Sequence, residues 1–124
     1  DKEDELKNSE QPVVPKLSEE DDQMMRRISA FVEENIANAD IGVGDMAEAA
    51  AVSRSGLQRK MKQIMGVTPI DFLKEARIKH ACKLLETTQM NVSEIAFACG
   101  YSDPKYFSRS FKASTGKSPT EYRR

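Results

Sequence analysis

Residues 92–123, VSEIAFACGYSDPKYFSRSFKASTGKSPTEYR, decide the fold because they repeat an earlier part of the chain. The earlier copy is residues 43–72, VGDMAEAAAVSRSGLQRKMKQIMGVTPIDF. The copies align at an offset of 49 residues before a central turn and at an offset of 50 residues after it. Such self-similarity indicates one structural unit that has been built twice.

Each copy has the pattern of a short helix, a tight turn and a longer helix. The turns fall at residues 51–53 and 100–102, where Gly100 suits a backbone with positive φ. This order is typical of a helix-turn-helix unit, whose second helix can lie in the major groove of DNA. One such pattern is only moderately specific, but two copies with matching Arg, Lys, Gly and Pro positions are much more so.

Apolar residues at helical spacing predict an all-α domain, and no segment has the pattern of a strand. Ser18, Ser53 and Thr68 are placed to cap helices, while Gly66 is placed to end one. The predicted helices cover residues 19–37, 43–50, 54–65, 69–86, 91–99 and 104–114, and a last short helix begins at 119 and carries Tyr122.

The first 17 residues are polar and charged and include Pro12 and Pro15, which predicts a flexible acidic linker before a domain over residues 18–124. Because the chain begins at Asp1 rather than Met, we interpret it as a fragment of a longer protein, although processing would give the same start. It contains no apolar stretch that could span a membrane and no secretion signal. We therefore expect a cytoplasmic location and no membrane contact by this fragment.

The formal net charge of −1 hides a strong asymmetry. Residues 1–22 contain nine acidic and three basic side chains, whereas residues 53–124 contain six acidic and fourteen basic ones. A basic body behind an acidic tail is compatible with binding to a polyanion such as nucleic acid. On charge alone, an unevenly charged solvated surface is the favoured interpretation.

The second helix of each copy is predicted to bury one side and to present polar and cationic groups on the other. Arg, Gln and Lys can donate to base edges or bind phosphate. Arg59 and Arg109 could also be simple surface arginines, but their matched positions favour DNA contact. The candidate DNA-binding residues are Arg54, Ser55, Gln58, Arg59, Lys62, Lys105, Tyr106, Ser108, Arg109 and Lys112.

Three motifs in the second half together resemble the signature of the bacterial AraC/XylS transcription regulators. They are Ile95-Ala96-x-x-x-Gly100-Tyr101, then Tyr106-Phe107-x-Arg109-x-Phe111-Lys112, then Gly116-x-Ser118-Pro119-x-x-Tyr122-Arg123. The resemblance covers about residues 23–124. Residues 57–62, 68–69 and 77–78 are similar to versions fused behind the receivers of hybrid two-component regulators.

The resemblance implies two three-helix subdomains joined by a long linker helix, with units at about 43–65 and 92–114 and the linker at about 69–86. It also implies that both recognition helices enter successive major-groove segments. By the same resemblance, the candidates in each second helix read bases, while Lys62 and Lys112 contact phosphate. The helix starts near Val43 and Val92 offer free N–H groups for phosphate. RNA polymerase is the expected protein partner of such an activator. We expect the fragment to be monomeric, and the full-length protein can be dimeric.

Some positions depart from the family pattern. Ala51 stands in the first turn where a glycine is usual, and Gly44 and Gly56 weaken two helices by about 1 kcal/mol each relative to alanine. Pro104 removes one possible polar reader, although it suits a first helical position. We expect Met65 to belong to the core, together with Met61 and Ile64.

Other classes of function receive little support from the residues. His80 is the single histidine, no metal-ligand spacing occurs, and no nucleophile–base pair or phosphate loop is present, so we expect no enzyme activity and no cofactor. Cys82 and Cys99 lie in apolar helical surroundings and are predicted to be reduced core thiols. The alternatives are a disulfide between them, or a redox sensor at Cys82. A protein-interaction module that does not read DNA remains the second hypothesis.

Overall fold

The computed structural model describes residues 18–124, so the predicted linker over residues 1–17 lies outside the described residues. The described part contains helices joined by short connections, and no strand occurs within it. The helices are α1 (Glu19–Glu34), α2 (Val43–Ala49), α3 (Arg54–Met65), α4 (Pro69–Thr87), α5 (Val92–Ala98), α6 (Pro104–Thr115) and α7 (Pro119–Arg123). The all-α prediction is therefore confirmed.

The helices begin where short polar side chains can accept a hydrogen bond from the first turn. The hydroxyl oxygens of Ser18, Ser53 and Thr68 accept from the backbone N–H three residues later, at 3.1, 3.0 and 3.1 Å. Each bond satisfies one backbone donor that has no partner inside its helix. Gly66 and Gly116 end α3 and α6 in the left-handed conformation, with φ of 73° and 83°.

Helix α4 belongs to two apolar cores at once. Leu73 packs into the first core, with buried residues of α1, α2 and α3. Ile78, Ala81 and Leu85 pack into the second core, with buried residues of α5 and α6. The structure thus consists of two three-helix units, α1–α3 and α5–α7, which share the long linker helix α4.

Two details of the helices differ from the expectations. Helix α1 ends at Glu34 rather than at residue 37, because the backbone leaves the helical conformation at Asn35, with φ of −113°. The backbone and side-chain N–H groups of Asn35 both donate to the Phe31 carbonyl oxygen, at 3.0 and 2.9 Å. Met65 is 45% exposed, so it does not belong to the core. It is the last residue of α3, next to Gly66, whose left-handed backbone ends the helix.

The two helix-turn-helix turns use the same backbone conformation with different residues. Ala51 has φ of 59° in the first turn, and Gly100 has φ of 83° in the second. A left-handed conformation costs a residue with a Cβ about 1–2 kcal/mol. Gly100 has a further constraint, because a Cβ there would collide with the Ile36 carbonyl oxygen and lie 2.8 Å from Arg77 Nε.

Ala51→Gly and Gly100→Ala therefore form a matched pair. We expect Ala51→Gly to stabilise the fold by about 0.5–1 kcal/mol, the left-handed penalty of alanine less the entropy that glycine adds to the unfolded chain. Gly100→Ala should cost about 2 kcal/mol or more, because strain and collision act together. Urea unfolding followed by circular dichroism measures both values. If Gly100→Ala lowers the unfolding free energy by no more than Ala51→Gly raises it, the collision at Gly100 is contradicted.

Candidate nucleic-acid interface

The structure places the sequence-predicted site residues on the outer faces of α3 and α6. Leu57 and Met61 of α3 are fully buried, as are Phe107 and Phe111 of α6, so the opposite faces of these helices point outward. Nine of the ten candidates are exposed and Ser108 is half-buried. Each unit therefore presents one polar, cationic helix surface of its own.

The cations of these surfaces are available for a polyanion. Among residues 18–124 no salt bridge involves any of the ten candidates. By contrast, Lys60 of α3 lies next to Arg59 in sequence but points back to α1, where its Nζ is 3.1 Å from Asp21 Oδ1. The helical period thus separates Lys60, which pairs within the protein, from Arg59, which faces solvent.

Arg54 is placed by a glycine in the neighbouring helix. A Cβ at Gly44 would lie 2.6 Å from Arg54 Nη2 and 2.9 Å from Nε, so the guanidinium occupies the space beside α2 that a side chain would fill. Gly44 thus has a packing role in addition to its helix-weakening effect. Similarly, a Cβ at Gly56 would lie 2.9 Å from the capping oxygen of Ser53.

In the second unit, residues of α5 and α6 border one shallow cleft. Lys105, Ser108 and Arg109 line it together with Val92 and Ser93. Asp103 also lines the cleft, but its carboxylate accepts from the Lys105 backbone N–H at 3.0 Å and caps α6. Three of the predicted readers are therefore brought to one concave surface at the start of α5.

The helix starts near Val43 and Val92 are already partly occupied by acidic side chains. Asp45 Oδ2 accepts from the Gly42 N–H at 2.9 Å, and Glu94 Oε1 accepts from the Asn91 N–H at 3.0 Å. Asn91 Oδ1 in turn accepts from the Glu94 N–H at 2.8 Å. These bonds and charges weaken the expected role of the two helix starts in holding phosphate.

Sequence reasoning assigned no role to two arginines that tie the helices together. Arg77 Nη2 donates to the Asn38 carbonyl oxygen at 2.9 Å, and Arg123 donates to the Leu85 and Thr88 carbonyl oxygens at 3.3 and 3.2 Å. Arg123 thereby places a cation at the carbonyl end of α4, where the helix dipole favours it. For Arg77 the sequence did contain a signal, because this cation lies among the apolar residues of linker helix α4.

The described residues do not assemble the other kinds of site. Within residues 18–124 no group of three or more His, Cys, Asp or Glu side chains is arranged to hold a metal ion. Over the same range, none of the helices is both long enough and apolar enough to span a membrane. Cys82 is half-buried, Cys99 is buried, and both are free thiols.

Comparison with known proteins identifies the domain. A family model for a helix-turn-helix domain matches residues 46–124. The arabinose operon regulatory protein of Escherichia coli (strain K12) is 30% identical over 102 residues, which are 82% of this chain and 35% of that protein. The chain belongs to the AraC/XylS family. It is therefore a DNA-binding domain with two helix-turn-helix units.

Two further relatives extend the comparison. Histidine kinase P4 of Formosa agariphila is 36% identical over 106 residues, which are 86% of this chain and 8% of that protein. The DNA-binding domain of AdpA, solved in complex with a target DNA, superimposes with a TM-score of 0.72 at 30% identity and covers 77% of this chain and 86% of that one. The chain thus spans a small part of the curated relatives named here.

The Gly44–Arg54 contact leads to a prediction about DNA binding. We expect Gly44→Ala to leave the stability of the fold unchanged or slightly higher, because alanine favours a helix and only the end of the flexible Arg54 side chain must move. Affinity for the specific site should fall, because the guanidinium loses its place. Gly44→Ala combined with Arg54→Ala should bind no more weakly than Arg54→Ala alone. Additive losses in this double-mutant cycle would show that the two residues act separately.

The cysteines give a second prediction. Burial raises the pKa of Cys99 from an ordinary value of 9.0 to about 12, so the folded protein holds a neutral and unreactive thiol. We expect iodoacetamide at pH 8 to alkylate Cys99 only in urea, with the half-buried Cys82 as internal comparison. The unfolding free energy should decrease as the pH rises from about 9 towards 12, because the unfolded thiol ionises first. Rapid alkylation of folded Cys99 would contradict a buried and neutral thiol.

Proposed function

We propose that this domain regulates transcription by sequence-specific binding to duplex DNA, with α3 and α6 in successive major-groove segments. The observation that carries the proposal is the pair of matched outward faces, one on each recognition helix, in a fold that AdpA uses on its target DNA. Linker helix α4 has 19 residues and is therefore about 28 Å long. Successive major-groove segments lie about 34 Å apart, and the packing of the units on α4 accounts for the difference.

The roles of individual side chains are carried over from the resemblance to the family, and the exposure of these side chains supports them. Arg54, Ser55, Gln58 and Arg59 are the base readers of the first unit. Their counterparts in the second unit are Lys105, Tyr106, Ser108 and Arg109. Lys62 and Lys112, in the last turns of α3 and α6, contact phosphate and contribute affinity for any sequence.

The wider setting is also part of the proposal. The similarity to a histidine kinase of which this domain occupies 8% supports a role as the output domain of a hybrid two-component regulator in the bacterial cytoplasm. Residues 1–17 would link it to the preceding part of that protein. The domain itself is a monomeric, non-enzymatic DNA reader, and RNA polymerase is the partner through which it activates transcription.

The deciding experiment is selection of bound sequences from randomised duplex DNA at two salt concentrations. We expect a motif with two half-sites about one helical turn apart and an affinity that falls steeply with salt, because phosphate binding releases counterions. Salt-sensitive binding without a motif would mean that specificity comes from other parts of the protein. No binding at low salt would favour the protein-interaction module.

Two substitutions separate base reading from phosphate binding. Arg59→Ala should cost about 1–3 kcal/mol on the selected site and relax the preference at one base pair. Lys112→Ala should weaken all sequences evenly and reduce the slope of log affinity against log salt by about 1. Lys60→Ala is the control, because it removes a cation from α3 that pairs with Asp21. Unchanged binding by both test variants would refute the assigned faces.

A further inference from the structure

Linker helix α4 passes from the first apolar core to the second between residues 76 and 78. Ala76 packs against the first core and Ile78 lies in the second, so the residue between them stands at the junction of the two units. That residue is Arg77. It is the one long cationic side chain in this stretch that turns inward rather than into solvent, since Lys74 and Lys79 are exposed.

Arg77 contacts both units. Its Nη2 donates to the carbonyl oxygen of Asn38, in the α1–α2 connection of the first unit. Its Nε lies where a Cβ of Gly100 would approach within 2.8 Å, in the turn of the second unit. The same imaginary Cβ would collide with the Ile36 carbonyl oxygen, so the two units also approach each other directly at Gly100.

The guanidinium is partly desolvated at this junction. Its Nε is buried, and desolvation lowers the pKa of Arg77, although the group stays charged at neutral pH. Within residues 18–124 it forms no salt bridge that would offset the loss of water. A charge in such a place is a poor source of stability, but a directional donor of fixed length restricts the arrangement of the groups around it.

We propose that Arg77 is a positioning residue, which holds the two helix-turn-helix units in one relative orientation and so sets the half-site spacing that the domain accepts. The effect on half-site spacing rests on the proposed function, whereas the fixed orientation of the units is a property of the free protein. Recognition helices α3 and α6 can engage one DNA molecule together only if their separation and angle match the duplex. Direct contacts between the units are few outside α4, so the junction at Arg77 and Gly100 is where that geometry is restrained.

The orientation can be measured without DNA by residual dipolar couplings of the free domain. In the wild-type protein, couplings from α1–α3 and from α5–α7 should fit a single alignment tensor. In Arg77→Ala the two sets should require different tensors, because the bond to Asn38 and the group against Gly100 are both lost. Lys79→Ala is the matched control, since it removes an exposed cation two residues along the same helix and should retain one tensor. A single tensor in Arg77→Ala would overturn the proposal.

The consequence for DNA is measured on duplexes with two half-sites, with one half-site, and with about 5 base pairs, half a helical turn, inserted between two half-sites. Arg77→Ala should bind single half-sites like Lys79→Ala. Its advantage on two half-sites should fall about tenfold, because joint engagement depends on how well the connection matches the span. The loss of affinity caused by the insertion should also be smaller for Arg77→Ala than for the wild-type protein. Equal losses on one and two half-sites would mean that Arg77 acts on DNA contact or folding, and would overturn the proposal.

Arg77→Met replaces Arg77→Ala if the alanine variant does not fold, because methionine keeps a long side chain at the junction but removes the hydrogen-bond donors. If Arg77→Ala unfolds, the proposal requires two tensors from Arg77→Met, and a single tensor refutes it. If the wild-type protein shows no dependence on half-site spacing, the proposed two-helix reading fails. The couplings of the free domain still decide whether Arg77 positions the units.

Discussion

The structure depends on one helix that serves two cores. Because α4 supplies Leu73 to the first core and Ile78, Ala81 and Leu85 to the second, neither unit can complete its packing without it. A helix is stiff over this length, so anything that packs on both ends is held at a nearly constant separation. The separation of the two units is thus determined by α4. The rotation of one unit relative to the other depends instead on the residues that pack beside this helix.

The two units apply the same plan with different core chemistry. The first core contains Met24, Met46 and Met61, whose flexible thioether side chains fill irregular space. The second contains a chain of aromatic rings, with centroid separations of 5.1 Å for Tyr101–Phe107 and 5.8 Å for Phe107–Phe111. Planar rings have fewer rotatable bonds than methionine and favour tilted geometries, so the buried rings of the second core have fewer rotamers available than the methionines of the first.

Much of this arrangement follows from local sequence. The caps at Ser53 and Thr68 and the glycine ends at Gly66 and Gly116 are each defined by residues a few positions apart, and the predicted bounds of α3 match the structure. The outward faces of α3 and α6 are equally local, because the burial of Leu57 and Phe107 determines which neighbours face solvent. Met65 was assigned wrongly because helical spacing alone does not show where a neighbouring element stops covering a face.

What the sequence cannot reveal are contacts between residues far apart along the chain. The bond from Arg77 to the Asn38 carbonyl spans 39 residues and uses a backbone acceptor, so the side chain of its partner leaves no trace in the sequence. Gly100 illustrates the same limit. Its positive φ is predictable from the turn, but its closeness to Ile36 depends on how the units pack. A glycine that a local rule already explains can thus have a second reason, which is visible only once both units are in place.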